Sequence, residues 1–228
     1  MGKTIETLGI DQGHQFPLII DMENIRDLNM DTVKDVDVAI EFTVPRAAPD
    51  NIRRCIDLGL PVVSGTTGWN HRYNDVVEHC WKLKGAFFYA SNFSIGVNIL
   101  MALNDQLAGI MNRYSSYSIS VQEVHHQYKL DKPSGTAITL ADQITGRIRR
   151  VKGWSMEKEE DPFTMYVDVK REGEVKGKHT VRYESELDAI TLTHEAKSRD
   201  AFAAGALQAA KFIKEKTGVY GMKDLLKL

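Results

Sequence analysis

A chain of 228 residues, 43% hydrophobic and 26% charged, is long enough for one large domain or two modest ones with real cores. A formal net charge of -2 and a pI of about 6.4 remove the charge argument for nucleic acid or an anionic membrane surface. No apolar run approaches the ~20 residues of a spanning helix, the N-terminus lacks a signal-peptide pattern, and Cys55 and Cys80 form no CxxC pair. The expected setting is therefore reducing and cytoplasmic.

The chain opens on Met1-Gly2-Lys3-Thr4-Ile5-Glu6-Thr7-Leu8, which reads as the start of a helix. Short apolar runs follow, each closed by turn formers. Phe16 to Ile20 ends in Asp21, and Val36 to Phe42 ends in Thr43. Pro61 to Ser64 ends in Gly65-Thr66-Thr67-Gly68, and Ala86 to Ala90 ends in Ser91-Asn92. Runs of this kind are buried parallel strands. Ala47 to Leu58 and Asn70 to Leu83 between them read as helices, so the first half predicts crossover units on a parallel sheet.

The second half has a different rhythm. Gly96 to Met111 is a long helix with Ile99, Leu100, Leu103, Leu107 and Ile110 at apolar positions. Tyr117 to Val124 alternates, with Ile119, Val121 and Glu123 on one side and Ser118, Ser120 and Gln122 on the other. Thr136 to Arg149 is helical, and Thr164 to Lys170, His179 to Glu184 and Ala189 to His194 read as strands. Residues 153–162, charged and ending in Asp161-Pro162, are expected as an exposed loop. Ala201 to Lys214 closes as an Ala-rich helix. Strands without intervening helices predict a mixed or antiparallel sheet. The expected fold is thus α/β: a Rossmann-like domain with a parallel sheet over 1–95 and 200–228, and an α+β domain over 96–199.

A dinucleotide-binding domain begins with an apolar strand, a Gly-rich turn and a helix whose N-terminus faces the pyrophosphate. Here the helix comes first, and the next run ends in Asp21, about twenty residues on, where a ribose-binding carboxylate belongs. No strand and no complete GxGxxG precede it. Either the recorded chain begins inside the fingerprint, with Met1 an internal methionine, or the protein lacks proper cofactor binding.

The densest chemistry lies in Glu123-Val124-His125-His126-Gln127-Tyr128-Lys129-Leu130-Asp131-Lys132-Pro133-Ser134-Gly135-Thr136-Ala137. Adjacent histidines on an extended chain point to opposite sides, and no third ligand follows at regular spacing, so no metal is expected. Lys129 and a helix opening at Pro133-Ser134-Gly135-Thr136 suit a carboxylate or phosphate. The plainer alternatives are a locally satisfied histidine pair and an ordinary helix cap. Gly65-Thr66-Thr67-Gly68, at a strand's C-terminal edge, is either simply a turn or a source of backbone groups for a nicotinamide carboxamide. Asn92-Phe93-Ser94 occupies the corresponding point at the domain crossover, or simply caps a helix.

Taken together, these stretches resemble the 4-hydroxy-tetrahydrodipicolinate reductase family, whose ExHHxxKxDxPSGTA signature matches residues 123–137. Glu41-Phe42-Thr43, Ser64 to Gly68, Ala90 to Asn98 and Thr193 to Arg199 follow the family's order along almost the whole chain. Of its N-terminal GxxGxMG only Met1-Gly2 stand here. The resemblance implies an NAD(P)H-binding domain, a substrate-binding and tetramerisation domain, and a homotetramer. It makes His125 the catalytic histidine and Lys129 the proton donor. His126, Ser134, Gly135 and Thr136 would hold the carboxylates of a small dicarboxylate substrate. Met1, Gly2, Asp21, Phe42, Thr43, Gly65, Thr66, Thr67, Ala90, Ser91, Asn92 and Phe93 would contact the cofactor. Met22 stands where some members carry an arginine for a 2′-phosphate, which favours NADH while leaving NADPH possible. Two other readings remain: a different two-domain oxidoreductase, which the 123–137 stretch opposes, and a non-enzymatic remnant that binds dicarboxylates. Closure between cofactor and substrate domains is expected near Ser94 and Ala201.

Overall fold

The computed structural model describes residues 1–158, 160–198 and 200–228. In chain order the elements are α1 (Gly2–Asp11), β1 (Ala39–Glu41), α2 (Ala48–Asp57), β2 (Val62–Ser64), α3 (Tyr73–Lys82), β3 (Ala86–Tyr89), α4 (Ile95–Met111), β4 (Ser118–His125), α5 (Gly135–Arg147), β5 (Gly153–Ser155), β6 (Thr164–Arg171), β7 (Lys178–Glu184), β8 (Ala189–Glu195), α6 (Asp200–Ile213), β9 (Gly218–Tyr220) and α7 (Met222–Leu226). They form two compact units, Met1–Ile95 with Asp200–Leu228, and Gly96–Arg199.

The first unit is built on a parallel sheet of order β1-β2-β3-β9. Successive residues of each strand serve opposite cores, which is why the runs are apolar throughout. Val62 and Phe87 pack with Ile52 and Ile56 of α2, Trp69, and Val76 of α3. Val63 and Phe88 pack with Ile5 of α1 and Ala203, Ala206, Leu207 and Ile213 of α6. Cys55 and Cys80 are both buried and free.

The expected strand at Phe16–Ile20 does not form. β1 is the end of the sheet, and no strand among the described residues pairs with its outer edge. Without a neighbour to take its backbone groups a segment gains nothing from being extended. Phe16 instead packs against the cluster that includes Ile5 of α1. The run at Val36–Phe42 contributes only three strand residues. Conversely, β9 was not evident in the sequence; it extends the sheet beside β3, with the Gly218 amide donating to Gly85 O at 2.8 Å.

The second unit carries a mixed sheet of order β5-β6-β4-β7-β8. Central β4 runs parallel to β6 and antiparallel to β7. One face, with Val121, Val167, Val181 and Tyr183, is covered by Leu100, Ala108 and Met111 of α4 and Leu140, Ala141 and Ile144 of α5. The loop expected over 153–162 is corrected at its start: Gly153–Ser155 forms β5, parallel to Thr164–Tyr166. Glu159 lies outside the described residues. Among the described residues no helix is long and apolar enough to cross a membrane.

Candidate active site

At the C-terminal edge of the parallel sheet the strand register lines up Glu41, Ser64 and Tyr89. Glu41 is buried, and its carboxylate gathers the turns that follow two strands. It accepts from the Thr43 amide at 2.9 Å, the Thr66 hydroxyl at 2.8 Å, and the hydroxyls of Thr43 and Ser64. The Thr43 amide also lies 2.7 Å from the Thr66 hydroxyl. Trp69 Nε1 donates to Thr66 O at 2.6 Å and holds the turn from below. Gly65 lies against Phe42 so closely that a Cβ would stand 2.2 Å from the ring. Phe42 in turn meets Phe93 with ring centroids 5.7 Å apart.

Phe42, Thr43, Gly65, Thr66, Ala90 and Phe93 are therefore gathered at one edge of the sheet, the position at which α/β sheets bind nucleotides. Thr67 and Ser91 are exposed on the same turns, and the Asn92 side chain accepts from the Ser94 amide at 2.8 Å. This edge, its turns shaped by Glu41 and carrying the exposed hydroxyl residues Thr67 and Ser91, fits the amide end of a pyridine nucleotide. Met1 precedes α1, with its carbonyl accepting from Ile5 at 3.0 Å, and Gly2 is exposed at the start of that helix. Asp21 lies on an exposed loop, where its Oδ1 accepts from the Glu23 amide at 2.8 Å and its amide donates to Asn24 Oδ1 at 2.7 Å. Its hydrogen bonds are local, so the structure does not join Asp21 to the edge residues.

The second cluster lies in the mixed sheet. Alternation places Val121, Glu123 and His125 on one face of β4 and His179, Val181 and Tyr183 on one face of β7. Register sets Glu123 opposite His179 and His125 opposite Arg171. The apolar core face thus becomes polar at one end. The Arg171 guanidinium lies 2.9 Å from Glu123 Oε1, an ion pair whose carboxylate is fully buried and whose arginine is partly so. Ser134, the N-cap of α5, donates its amide to Glu123 Oε2 at 2.9 Å, and its hydroxyl accepts from Ala137 at 3.3 Å. His179 Nε2 lies 3.1 Å from the Ser134 hydroxyl and 3.3 Å from His125 Nε2.

The charges follow from this packing. Burial alone would raise the Glu123 carboxyl, but hydrogen bonds from the Ser134 hydroxyl and amide and from Arg171, with His125 nearby, hold it below its usual range. Burial lowers His125, and Lys129 and Arg171 add to the effect against the pull of Glu123. Burial, reinforced by His125, pushes His179 down to about 4. Lys129 pairs with Asp131 at 2.8 Å, and its amide closes a turn onto His126 O at 3.1 Å. His126 is half-buried on the following residue, with its ring 6.3 Å from that of Tyr128. Gly135 and Thr136 form the first turn of α5. His125, Lys129, Ser134, Gly135 and Thr136 thus lie around one strand end and one helix start.

Glu123, His125 and His179 present ligand atoms within 4.8 Å of one another, a zinc-like set that adjacent-histidine spacing did not suggest. Arg171 already supplies the counter-charge to its carboxylate. His179, Arg171 and the organising role of Glu41 had no signal in the short motifs. For His179 the signal was alternation: a histidine two residues before Val181 and four before Tyr183 belongs on the core face. Arg199 lies outside the described residues.

Two α/β units, one carrying a nucleotide-type parallel edge and the other an acid–base cluster beside a helix start, define a two-domain oxidoreductase architecture. The same fold is seen in an amine dehydrogenase from Mycobacterium smegmatis, at 9% identity and a TM-score of 0.51 over 96% of this chain and 91% of that one. A dipicolinate-bound dihydrodipicolinate reductase from Paenisporosarcina sp. TG-14 is more similar, with a TM-score of 0.75 at 21% identity over 98% and 94% of the two chains. Family models match both halves: dihydrodipicolinate reductase, N-terminus, over residues 6–93, and dihydrodipicolinate reductase, C-terminus, over residues 96–226. A 4-hydroxy-tetrahydrodipicolinate reductase from Christiangramia forsetii is 50% identical, covering 99% of this chain and 93% of its own length. One from Neisseria meningitidis serogroup B is 33% identical, covering 98% and 84%. The chain belongs to the dihydrodipicolinate reductase family.

Proposed function

We propose that the protein is an NAD(P)H-dependent reductase that converts 4-hydroxy-2,3,4,5-tetrahydrodipicolinate into 2,3,4,5-tetrahydrodipicolinate in diaminopimelate and lysine biosynthesis. The observation that carries this reading is the meeting of His125, Lys129 and Ser134 at the end of β4, around a buried ionised Glu123, in a chain 50% identical to a reductase of that name.

When bound, NAD(P)H supplies the hydride. The protein's own residues do the rest. The Ser134 hydroxyl and the first amides of α5, at Gly135 and Thr136, together with His126, hold the carboxylates of a small dicarboxylate, aided by the helix dipole. The 4-hydroxyl leaves as water to give a conjugated cyclic imine, and His125 and Lys129 supply the proton that answers the negative charge developing on that ring as the hydride arrives. Lys129 is held by Asp131 in the described geometry, so proton delivery requires that pair to loosen. In the parallel-sheet unit Phe42 and Thr43 would contact the cofactor, and Gly65, Thr66, Thr67, Ala90, Ser91, Asn92 and Phe93 would contact its nicotinamide end. Met1 and Gly2, at the start of α1, would lie by the pyrophosphate, and Asp21 would take the ribose hydroxyls. Met22 is 87% exposed and offers no cation to a 2′-phosphate, which supports NADH as the preferred cofactor.

The working form is a cytoplasmic homotetramer assembled through the mixed-sheet unit. The exposed side chains of edge strand β8 and of Leu187, before it, support this reading. Light scattering at micromolar concentration tests the assembly. The reaction is tested with NADH deuterated at C4 and freshly generated substrate. Label appearing in the reduced ring supports the proposal, and NADH left unoxidised overturns it.

A further inference from the structure

The polar end of the core face fixes where its protons sit. Glu123 is ionised, and an ionised carboxylate only accepts. Its Oε2 receives the Ser134 amide at 2.9 Å, and the Ser134 hydroxyl also faces it as a donor. A hydroxyl has one proton, so with that proton turned to Glu123 the Ser134 oxygen is left to accept. It accepts from the Ala137 amide at 3.3 Å and has His179 Nε2 at 3.1 Å.

His179 is buried and, with its pKa pushed down to about 4, neutral at physiological pH. A neutral imidazole carries one ring proton. His179 Nδ1 is buried and has no hydrogen-bond partner, whereas Nε2 faces both the Ser134 oxygen and, at 3.3 Å, His125 Nε2. A buried N–H without a partner is rarer and costlier than a bare lone pair, so the proton belongs on Nε2. His125 must then present a lone pair at its own Nε2, which leaves its proton on Nδ1. Gly177 leaves room for the ring in this orientation. A Cβ there would stand 3.0 Å from His125 Cε1, and a φ of +150° suits only glycine.

We infer that His179 is a positioning residue that fixes the tautomer of His125, placing the His125 proton on Nδ1 through a hydrogen-bond chain from Glu123 and Ser134. This rests on the reductase reading above, in which His125 touches the reacting atoms, and adds how that imidazole is set. A substrate carboxylate that takes the Ser134 hydroxyl proton leaves its oxygen an acceptor, so the tautomer is kept on binding. No proton is gained or lost. The charged and titratable groups around the pair are Glu123 on β4, Lys129 and Asp131 in the loop after it, Arg171 at the end of β6, and His194, opposite His179 on β8.

Two measurements on the full-length protein test this. Two-bond proton–nitrogen spectra of 15N-histidine-labelled wild-type protein should show neutral His125 protonated on Nδ1, the form that free histidine disfavours, and His179 protonated on Nε2. A His125 protonated on Nε2 overturns the inference. In steady-state assays His179→Leu should lower kcat by roughly tenfold or more. It should also move the acidic limb of the pH profile upward with the KM for NADH unchanged. His179→Gln, whose amide can donate from the same place, should restore most of the loss. A folded His179→Leu protein with wild-type kcat and pH profile also overturns it. Wild-type protein with the expected tautomers but no turnover counts against the reductase reading alone.

Discussion

The hydroxyl of Thr66, in the turn after one parallel strand, donates across 2.8 Å to the carboxylate of Glu41, the last residue of its neighbour. Through this bond and those from Thr43 and Ser64, one buried carboxylate sets the shape of two turns that carry proposed cofactor contacts. Glu41→Ala leaves several buried donors without an acceptor, at about 1–3 kcal/mol for each that water cannot reach. The unfolding free energy should fall by roughly 3 kcal/mol in urea titrations. Glu41→Gln, which keeps one acceptor, should fold and bind NADH about tenfold more weakly, a loss of about 1.4 kcal/mol. Fluorescence titration with unchanged affinity would detach Glu41 from the cofactor site.

Lys129 and Asp131 form an ion pair beside His125. If Lys129 delivers the proton, Lys129→Ala should raise the substrate KM and lower kcat by about 10²-fold. Asp131→Asn frees the lysine and should change kcat far less. Initial rates over a range of substrate concentrations separate the two effects, and a Lys129→Ala protein with full kcat excludes the lysine from proton transfer.

Stability should depend on pH through the same cluster. His179 falls from 6.5 to about 4 on folding, so between those values the unfolded chain binds the proton and the folded one does not. Stability therefore rises with pH across this window, and the contribution, at most about 3 kcal/mol, is complete above the unfolded pKa and lost as pH falls toward the folded one. Glu123, held low in the fold, acts in the same direction in its own acidic range. Urea midpoints measured from neutral to acidic pH should drop in the wild type and drop less in His179→Gln.

Glu123, His125 and His179 resemble a zinc ligand set, yet Arg171 is paired with the carboxylate. Activity should survive exhaustive chelation, and metal analysis of the purified protein should find no stoichiometric zinc. Loss of turnover with EDTA, restored by zinc, would reassign the cluster.

The sequence carried most of the parallel unit because buried parallel strands are short apolar runs: Val62–Ser64 and Ala86–Tyr89 match theirs closely. Phe16–Ile20 has the same composition without a neighbour to pair with, and pairing is not written in a strand's own residues. β9 was missed because Gly218-Val219-Tyr220 is too short to show a period and exists by virtue of β3. In the site, residues 123–137 are local and legible as a helix cap beside a histidine pair. His179 and Arg171 are not, since they reach Glu123 and His125 only through the register of β7 and β6 against β4. Long-range register is what the linear pattern leaves open.

The central claim is that His125 acts in the reduction of 4-hydroxy-tetrahydrodipicolinate. It is tested most directly by NADH oxidation with freshly generated substrate, comparing wild-type protein with His125→Gln. The expected result is rapid oxidation by the wild type and a kcat lower by about 10²-fold or more in the variant, with NADH binding intact. Wild-type turnover by a folded His125→Gln protein would contradict it.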